Sequence, residues 1–202
     1  TPLAAVSGLI SVLAQHSGSM TEEQLADTLT TLQRQGERAR VLVDNLLELA
    51  QLQHGHLDIS LEEVAVRAAI ESALASHPAP PGMQIELHMT DDATVRADAR
   101  RLTQVMVTLL TNAYGSGAER VRVEGALMQK QVLIRVEDDG RGVAPELRAG
   151  LFEPFNRGPE GSGLGLALGR ALIESFGGEM WHESVEPSGA RFNIRLPRSG
   201  VA

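Results

Sequence analysis

The sequence predicts an α+β protein. A helical hairpin that pairs into a dimeric four-helix bundle is followed by an α/β sandwich with a mixed, mainly antiparallel sheet. Two observations support this prediction. Apolar side chains recur at helical spacing over residues 3–50. Beyond residue 56, short alternating segments are interspersed with amphipathic helical ones, which is typical of helices packed beside a sheet. We therefore predict two domains, 1–55 and 56–202.

The composition excludes several classes of protein. With 202 residues, of which 43% are hydrophobic, the chain can bury a core. A formal charge of -8 without a basic stripe argues against nucleic-acid binding. The absence of cysteine excludes disulfides and thiolate metal sites. The sequence contains no run of 18 apolar residues, so it predicts no transmembrane segment. The chain starts at Thr1 without a methionine or a signal peptide, which favours a fragment.

The hairpin is predicted from spacing and capping signals. Residues 3–17 have helical periodicity, and Gly18 interrupts it. Thr21 and Gln24 form a capping box for a second, longer helix. Its apolar seam consists of Leu25, Leu29, Leu32, Gly36, Ala39, Val43, Leu46 and Ala50. So broad an apolar face favours a dimeric four-helix bundle, and the alternative is a hairpin packed on its own domain.

The second domain alternates between strand and helix patterns. Strands are predicted at 57–61, 84–89, 93–97, 119–127, 130–137, 178–184 and 190–196. Helices are predicted at 64–76, 99–114, 145–151 and 164–176. Asp98 is expected to cap the helix 99–114. The buried face of that helix is predicted to contain Leu102, Val105, Met106, Leu109 and Leu110.

An acidic pair followed by two glycines stands at the end of the strand 130–137. Asp138 would offer a carboxylate to a ligand amine at the end of that strand. Gly140 and Gly142 would allow positive φ values and a close approach of the backbone to a ligand. The alternative is an ordinary surface turn, in which the same pattern also occurs.

Two further features indicate a phosphate and metal site. Gly161, Gly163 and Gly165 lead into an apolar helix, whose free N–H groups and positive end would face a phosphate chain. The Gly-Lys-Ser/Thr ending of a P-loop is absent. Asn112, near the end of its helix, would offer an amide oxygen to Mg²⁺ beside phosphates. The alternatives are a purely structural helix start and an asparagine cap.

In this order, the segments around Asn112, Asp138–Gly142, Phe152–Phe155 and Gly161–Gly165 resemble the ATP-binding domain of two-component sensor histidine kinases. This domain belongs to the superfamily of gyrase-type and Hsp90-type ATPases. The start Thr1-Pro2-Leu3 resembles the end of the phospho-acceptor motif His-Glu-x-x-Thr-Pro-Leu of the same kinases. The resemblance covers essentially the whole chain.

The resemblance implies a role for each matching residue. The implied nucleotide-binding residues are Asn112, Asp138, Gly140, Gly142, Phe155, Gly161, Gly163, Leu164 and Gly165. Asp138 would accept the adenine amino group, and Asn112 would hold the Mg²⁺ that bridges the phosphates. Phe152 and Phe155 would anchor a lid, with core packing as the alternative. Thr1 would orient a water molecule that dephosphorylates a response regulator.

The chain departs from the pattern of these kinases at several positions. The acceptor histidine is expected four residues before Thr1, and none of the six histidines present occupies that motif. A lysine or arginine often follows the magnesium asparagine by three positions, where this chain has Gly115. These kinases commonly have a second asparagine four positions before the first, where this chain has Thr108. The predicted lid, 156–160, is also short. A missing cation weakens the stabilisation of charge on the transferring phosphoryl group.

The implied function is that of a signal-transduction transferase, which phosphorylates a histidine from ATP and Mg²⁺ and passes the phosphate to a response-regulator aspartate. A phosphatase activity would accompany it. The implied partners are a second copy of the chain and a receiver domain, with no nucleic acid or membrane contact. The implied location is the cytoplasmic portion of an inner-membrane protein.

Two alternatives are open. Gly115, Thr108 and the short lid motivate a degenerate or weak kinase that acts as a regulatory module by pairing with another histidine kinase. A hydrolytic ATPase of the wider superfamily is disfavoured. Such enzymes place a glutamate base where this chain has Thr108, and a threonine cannot take a proton from water.

Overall fold

The computed structural model describes residues 2–90, 93–156 and 163–200. The chain divides into two compact units, Thr1–Ala50 and Gln51–Ala202. Among the described residues, no helix combines the length and the apolar character that crossing a bilayer requires.

The first unit is helical, as predicted. Helix α1 covers Pro2–His16, a 3₁₀ turn covers Ser17–Ser19, and helix α2 covers Glu22–Gln53. The capping box is confirmed by two reciprocal hydrogen bonds. The Thr21 N–H donates to Gln24 Oε1 at 3.0 Å, and the Gln24 N–H donates to Thr21 Oγ1 at 3.2 Å. The local sequence therefore fixes where the long helix begins.

The helices of the first unit leave large apolar side chains in contact with solvent. Within Glu22–Gln53, only Leu49 is buried. The exposed apolar residues of α1 and α2 are Ile10, Val12, Leu29, Val41, Val43, Leu46 and Leu47. An apolar face of this extent is typical of a surface that binds another protein.

In its described residues, the second unit combines two sheets with the four helices α3 to α6. Its strands are β1 (Glu62–Ala65), β2 (Gln84–Met89), β3 (Thr94–Ala97), β4 (Arg120–Leu127), β5 (Gln131–Asp138), β6 (Glu179–Ser184) and β7 (Ala190–Pro197). Its helices are α3 (Val66–Ser76), α4 (Ala99–Tyr114), α5 (Pro145–Arg148) and α6 (Gly165–Ser175). The large sheet has the order β2-β4-β5-β7-β6, in which only β2 and β4 are parallel. The predicted α+β class with a mixed, mainly antiparallel sheet is confirmed.

Two predicted elements need correction. The strand predicted at 57–61 is absent, and β1 instead covers Glu62–Ala65. The partner strand sets the bounds of β1, because β3 has four residues and pairs Val95 with Val64. The helix predicted at 145–151 is shorter, because α5 ends at Arg148 and turns follow.

The core lies between the large sheet and the helices. All five apolar residues predicted for the inner face of α4 are buried. Alternate residues of β5 are buried against this layer, namely Val132, Ile134, Val136 and Asp138. Because side chains alternate along a strand, Asp138 points toward the same side as the apolar core residues. This register places a carboxylate at the inner edge of the sheet.

The opposite face of the large sheet is charged. One row across the five strands contains, in spatial order, Glu86, Arg122, Glu137, Arg191 and Glu183. Arg122 Nε lies 3.0 Å from Glu86 Oε2, and Arg191 Nη2 lies 2.6 Å from Glu137 Oε2. Alternating charges of this kind keep the outer face of the sheet in water.

Candidate functional site

Asp138 is a buried carboxylate at the end of β5. Its side chain is only 4% exposed, and among the described residues it is the only buried carboxylate. Its Oδ1 accepts a hydrogen bond from the Gly140 N–H at 3.0 Å. Burial raises the pKa of Asp138, and the hydrogen bond from Gly140 offsets only part of this effect. A buried carboxylate is costly to the fold, so its presence here indicates a function.

Asp139, the other member of the acidic pair, has a structural role. Its Oδ1 accepts hydrogen bonds from the backbone N–H groups of Glu119 and Arg120, both at 2.9 Å. These bonds lower the pKa of Asp139, with the Arg120 N–H as the largest cause. The side chain therefore fixes the beginning of β4. The sequence gives no signal for this role, because the two N–H groups lie about 20 residues away along the chain.

The two glycines of the turn serve different purposes. Gly142 has φ +70, as predicted, and a Cβ there would lie 2.8 Å from the Gly189 carbonyl oxygen. Gly140 does not have a positive φ, which corrects the prediction. It is needed for space, since a Cβ would lie 2.0 Å from Ser116 Oγ. The turn is thus held between the end of α4 and the loop before β7.

Asn112 lies on the exposed side of the last turn of α4. The helix continues to Tyr114 and its C-cap is Gly115, so the alternative of an asparagine cap is wrong. The turn after β5 joins this helix end, because the Arg141 N–H donates to the Ser116 carbonyl oxygen at 3.2 Å. Ser116 follows Asn112 by four residues and lies just beyond the end of α4. The turn that follows Asp138 therefore contacts the chain close in sequence to Asn112.

The second glycine cluster approaches the same part of α4. Gly163 has φ +71, and its carbonyl oxygen accepts the Phe155 N–H at 2.9 Å. Leu164 is fully buried, so its side chain belongs to the core. Helix α6 begins at Gly165, where a Cβ would lie 3.1 Å from the Thr108 methyl group. Since Thr108 is one helical turn before Asn112, the beginning of α6 packs against the part of α4 that precedes the predicted magnesium ligand.

The two phenylalanines have different environments. Phe152 packs edge-on against Phe192, with ring centroids 6.5 Å apart, and the Arg170 guanidinium lies 5.4 Å from the Phe152 centroid. Phe155 is 59% exposed and has φ 66. Core packing therefore accounts for Phe152 and is wrong for Phe155. A bulky residue in the left-handed region is strained, and such strain concentrates at functional sites.

Some predicted residues lie outside the described part of the chain. They are Thr1, Gly161 and the lid residues 157–160. Asn156, at the beginning of the lid, is described and half-buried. The described site residues therefore belong to three segments: the end of α4, the turn after β5, and the stretch from Phe155 to the beginning of α6.

The described residues contain no group of three or more histidine, aspartate or glutamate side chains that could hold a metal ion. Mg²⁺ keeps several waters and binds through few protein oxygens, so a site with Asn112 as its predicted protein ligand would be compatible with this ion. The exposed amide of Asn112 fits this arrangement.

Two known families match the chain. Residues 97–200 match the family described as histidine kinase-, DNA gyrase B- and HSP90-like ATPase. Residues 1–55 match the His Kinase A (phospho-acceptor) domain. The first match includes α4, the turn after β5 and α6, which are the elements that form the candidate site.

Individual relatives agree with these matches. The swarming motility regulation sensor protein RssA of Serratia marcescens is 33% identical over 98% of this chain and 44% of its own length. The structure of full-length ShkA in complex with AMPPNP is 25% identical, with a TM-score of 0.73 over 100% of this chain and 45% of that one. The histidine kinase ThkA, solved with the response regulator TrrA, has the same fold, with a TM-score of 0.79 at 22% identity over 98% of this chain and 58% of that one. The chain spans less than half the length of RssA.

Proposed function

Because the chain belongs to the two-component sensor histidine kinase family, we propose that it is the dimerisation and ATP-binding core of a protein-histidine kinase. Residues 1–55 would form the dimerisation and phosphotransfer hairpin, and residues 56–202 the catalytic ATP-binding domain. A histidine imidazole would attack the γ-phosphate of ATP in line. Mg²⁺ and the positioning of the two reacting groups would supply most of the catalysis. The phosphate would then pass to an aspartate of a receiver domain.

The observation that carries this proposal is the arrangement around the last turn of α4. The turn that follows Asp138 bonds to Ser116, just beyond the end of this helix. The beginning of α6 approaches Thr108, one helical turn before the exposed Asn112. Asp138 offers a buried acceptor for the adenine amino group, and the beginning of α6 offers backbone N–H groups to the phosphates. These are the groups that a magnesium–ATP complex requires.

The similar proteins support the proposed ligands. ShkA was solved with AMPPNP, an ATP analogue, which supports ATP as the nucleotide of this chain. ThkA was solved with a response regulator, which supports a receiver domain as partner. Mg²⁺ at Asn112, phosphatase assistance by Thr1 and a cytoplasmic location beside an inner membrane are proposals that rest on the family resemblance.

The proposed activity is tested with a chain extended upstream to include the histidine expected four residues before Thr1. Incubation with γ-labelled ATP and Mg²⁺ is expected to give acid-labile, base-stable label on the protein. Replacing that histidine with alanine should abolish the label while leaving ATP affinity unchanged. Absence of label in a folded, dimeric, ATP-binding protein would contradict the kinase activity and favour the regulatory binding module.

We also propose that the exposed apolar face of α1 and α2 pairs two copies of the chain. Leu46→Glu is expected to weaken the dimer at least about 100-fold, because an unpaired charge in an apolar interface is costly. Light scattering at micromolar concentration should then report a monomer. The matched control is Gln33→Glu, which adds the same charge at an exposed polar position of α2. An unmodified chain that is monomeric in this experiment would contradict the homodimer.

A further inference from the structure

We infer that Arg141 supplies the positive charge that holds the phosphates of the nucleotide at the end of α4. This inference rests on the proposed ATP binding and adds a residue that the sequence pattern does not assign. It concerns a specific difficulty of the site. Asn112 lies in the last turn of α4, and the C-terminal end of a helix carries a partial negative charge. A polyphosphate placed there needs a cation close to that helix end.

Arg141 is placed to provide this cation. It lies between Gly140 and Gly142, in the turn that follows Asp138. Its Nη2 donates to the Gly115 carbonyl oxygen at 3.2 Å, while its backbone N–H donates to the Ser116 carbonyl oxygen at the same distance. The guanidinium is therefore held against the C-cap of α4, three residues beyond Asn112.

The chemistry of the side chain suits this task. The guanidinium carries five N–H groups in a planar fork, so it can bond a helix carbonyl and a phosphate oxygen at the same time. The Arg141 side chain is exposed on the side of the turn that faces the helix end. The kinases that this chain resembles often have a cation at the position of Gly115. Here a different segment brings a cation to the Gly115 carbonyl oxygen.

Three other basic residues of the described part of the chain are less well placed. Lys130, the only lysine that the sequence contains, lies before β5, at the opposite end of that strand from Asp138. Eight residues of extended strand separate the two, which corresponds to about 26 Å. Arg120 and Arg122 are paired with Glu86, at 3.3 and 3.0 Å. Their charge is therefore partly neutralised before any nucleotide arrives.

A structural role for Arg141 must be separated from binding, because an arginine can also stabilise a helix by bonding its last carbonyl groups. Affinities for ATP, ADP and adenosine distinguish the two roles. Arg141→Ala is expected to weaken ATP and ADP about tenfold or more and to leave adenosine within about twofold, since charge-assisted bonds form only to the phosphates. Arg141→Lys should retain most of the ATP affinity.

A rescue variant makes the test sharper. Gly115 has φ -80 and ψ -6, and a Cβ there would lie 3.5 Å from its nearest neighbour, the Thr111 carbonyl oxygen. A lysine therefore fits at this position without backbone strain. Adding Gly115→Lys to Arg141→Ala is expected to restore the ATP affinity. Adding Gly115→Gln, of similar length but without charge, should not restore it.

Each outcome decides the inference. Selective loss of ATP and ADP binding, restored by lysine and not by glutamine at position 115, would support it. Equal weakening of all three ligands, or no change with Arg141→Ala, would overturn it while leaving nucleotide binding in place. If the unmodified chain binds none of the three ligands, the proposed function and this inference are both wrong.

Discussion

Replacement of Asp138 by asparagine is expected to weaken ATP binding by about 100-fold without lowering the free energy of unfolding. In the proposed function, the carboxylate would accept the adenine amino group with a charge-assisted hydrogen bond, and an amide would do so less well. Asparagine has the same shape, so its Oδ1 can still accept the Gly140 N–H that Asp138 accepts at 3.0 Å. It also removes a buried charge. Titration calorimetry with ATP and chemical denaturation measure the two quantities.

The pH dependence of stability provides a second test of the same substitution. Because burial raises the pKa of Asp138, the folded state binds this proton more tightly than the unfolded state. The stabilisation that the bound proton gives to the folded state is fully present below the unfolded-state pKa. It is lost as pH rises through the folded-state pKa. The asparagine variant has no such loss. Its stability relative to the unmodified chain should therefore increase as pH rises through the acidic range.

Asp139→Asn is the matched control. This side chain is exposed, and hydrogen bonds from Arg120 and Glu119 lower its pKa. Its contribution to stability has the opposite sign: it is present above the unfolded-state pKa and is lost as pH falls through the folded-state pKa. We expect this variant to keep its ATP affinity and to be less stable near neutral pH. An ATP affinity that falls equally in both variants would contradict the separate roles of the two aspartates.

Local signals predicted much of the architecture. Asp98 caps α4 as expected, with its Oδ1 accepting the Arg101 N–H at 3.0 Å. Periodicity correctly identified both long helices and the strands of the large sheet, because burial on one side of an element leaves a direct pattern in the sequence. Asp138 and Asn112 could be predicted as site residues for a related reason. Each belongs to a short motif whose strand or helix can be predicted locally.

The remaining features depend on distant residues. The position of β1 is set by β3, which lies about 30 residues away. Gly140 is required by Ser116, and Arg141 reaches Gly115 only because the turn folds against the end of α4. Sequence periodicity contains no information about such contacts. The absence of a cationic side chain at position 115 therefore looked like a defect in the sequence, whereas in the structure the Arg141 guanidinium donates to the Gly115 carbonyl oxygen.

Asn112→Ala is expected to lower histidine phosphorylation in the extended chain at least about 100-fold, because a correctly held Mg²⁺ contributes several kcal/mol to phosphoryl transfer. The same substitution should remove most of the dependence of ATP affinity on Mg²⁺. Stability should not fall. Asn112 is exposed on a helix, where alanine is favoured over asparagine by about 0.6 kcal/mol. Loss of activity in an equally stable protein would thus report the metal ligand itself.

Thr111→Ala is the control for this substitution. Thr111 is the exposed neighbour of Asn112 on α4, and its hydroxyl group lies within hydrogen-bond distance of the Val107 and Thr108 carbonyl oxygens, at 2.8 and 3.0 Å. Its hydroxyl proton is donated within the helix, and we expect phosphorylation and the effect of Mg²⁺ to be unchanged. Comparing ATP affinity in Mg²⁺ and in EDTA completes the experiment. If Asn112→Ala binds ATP as tightly as the unmodified chain in Mg²⁺ and loses that affinity in EDTA, the ion is held elsewhere and the role of Asn112 is wrong.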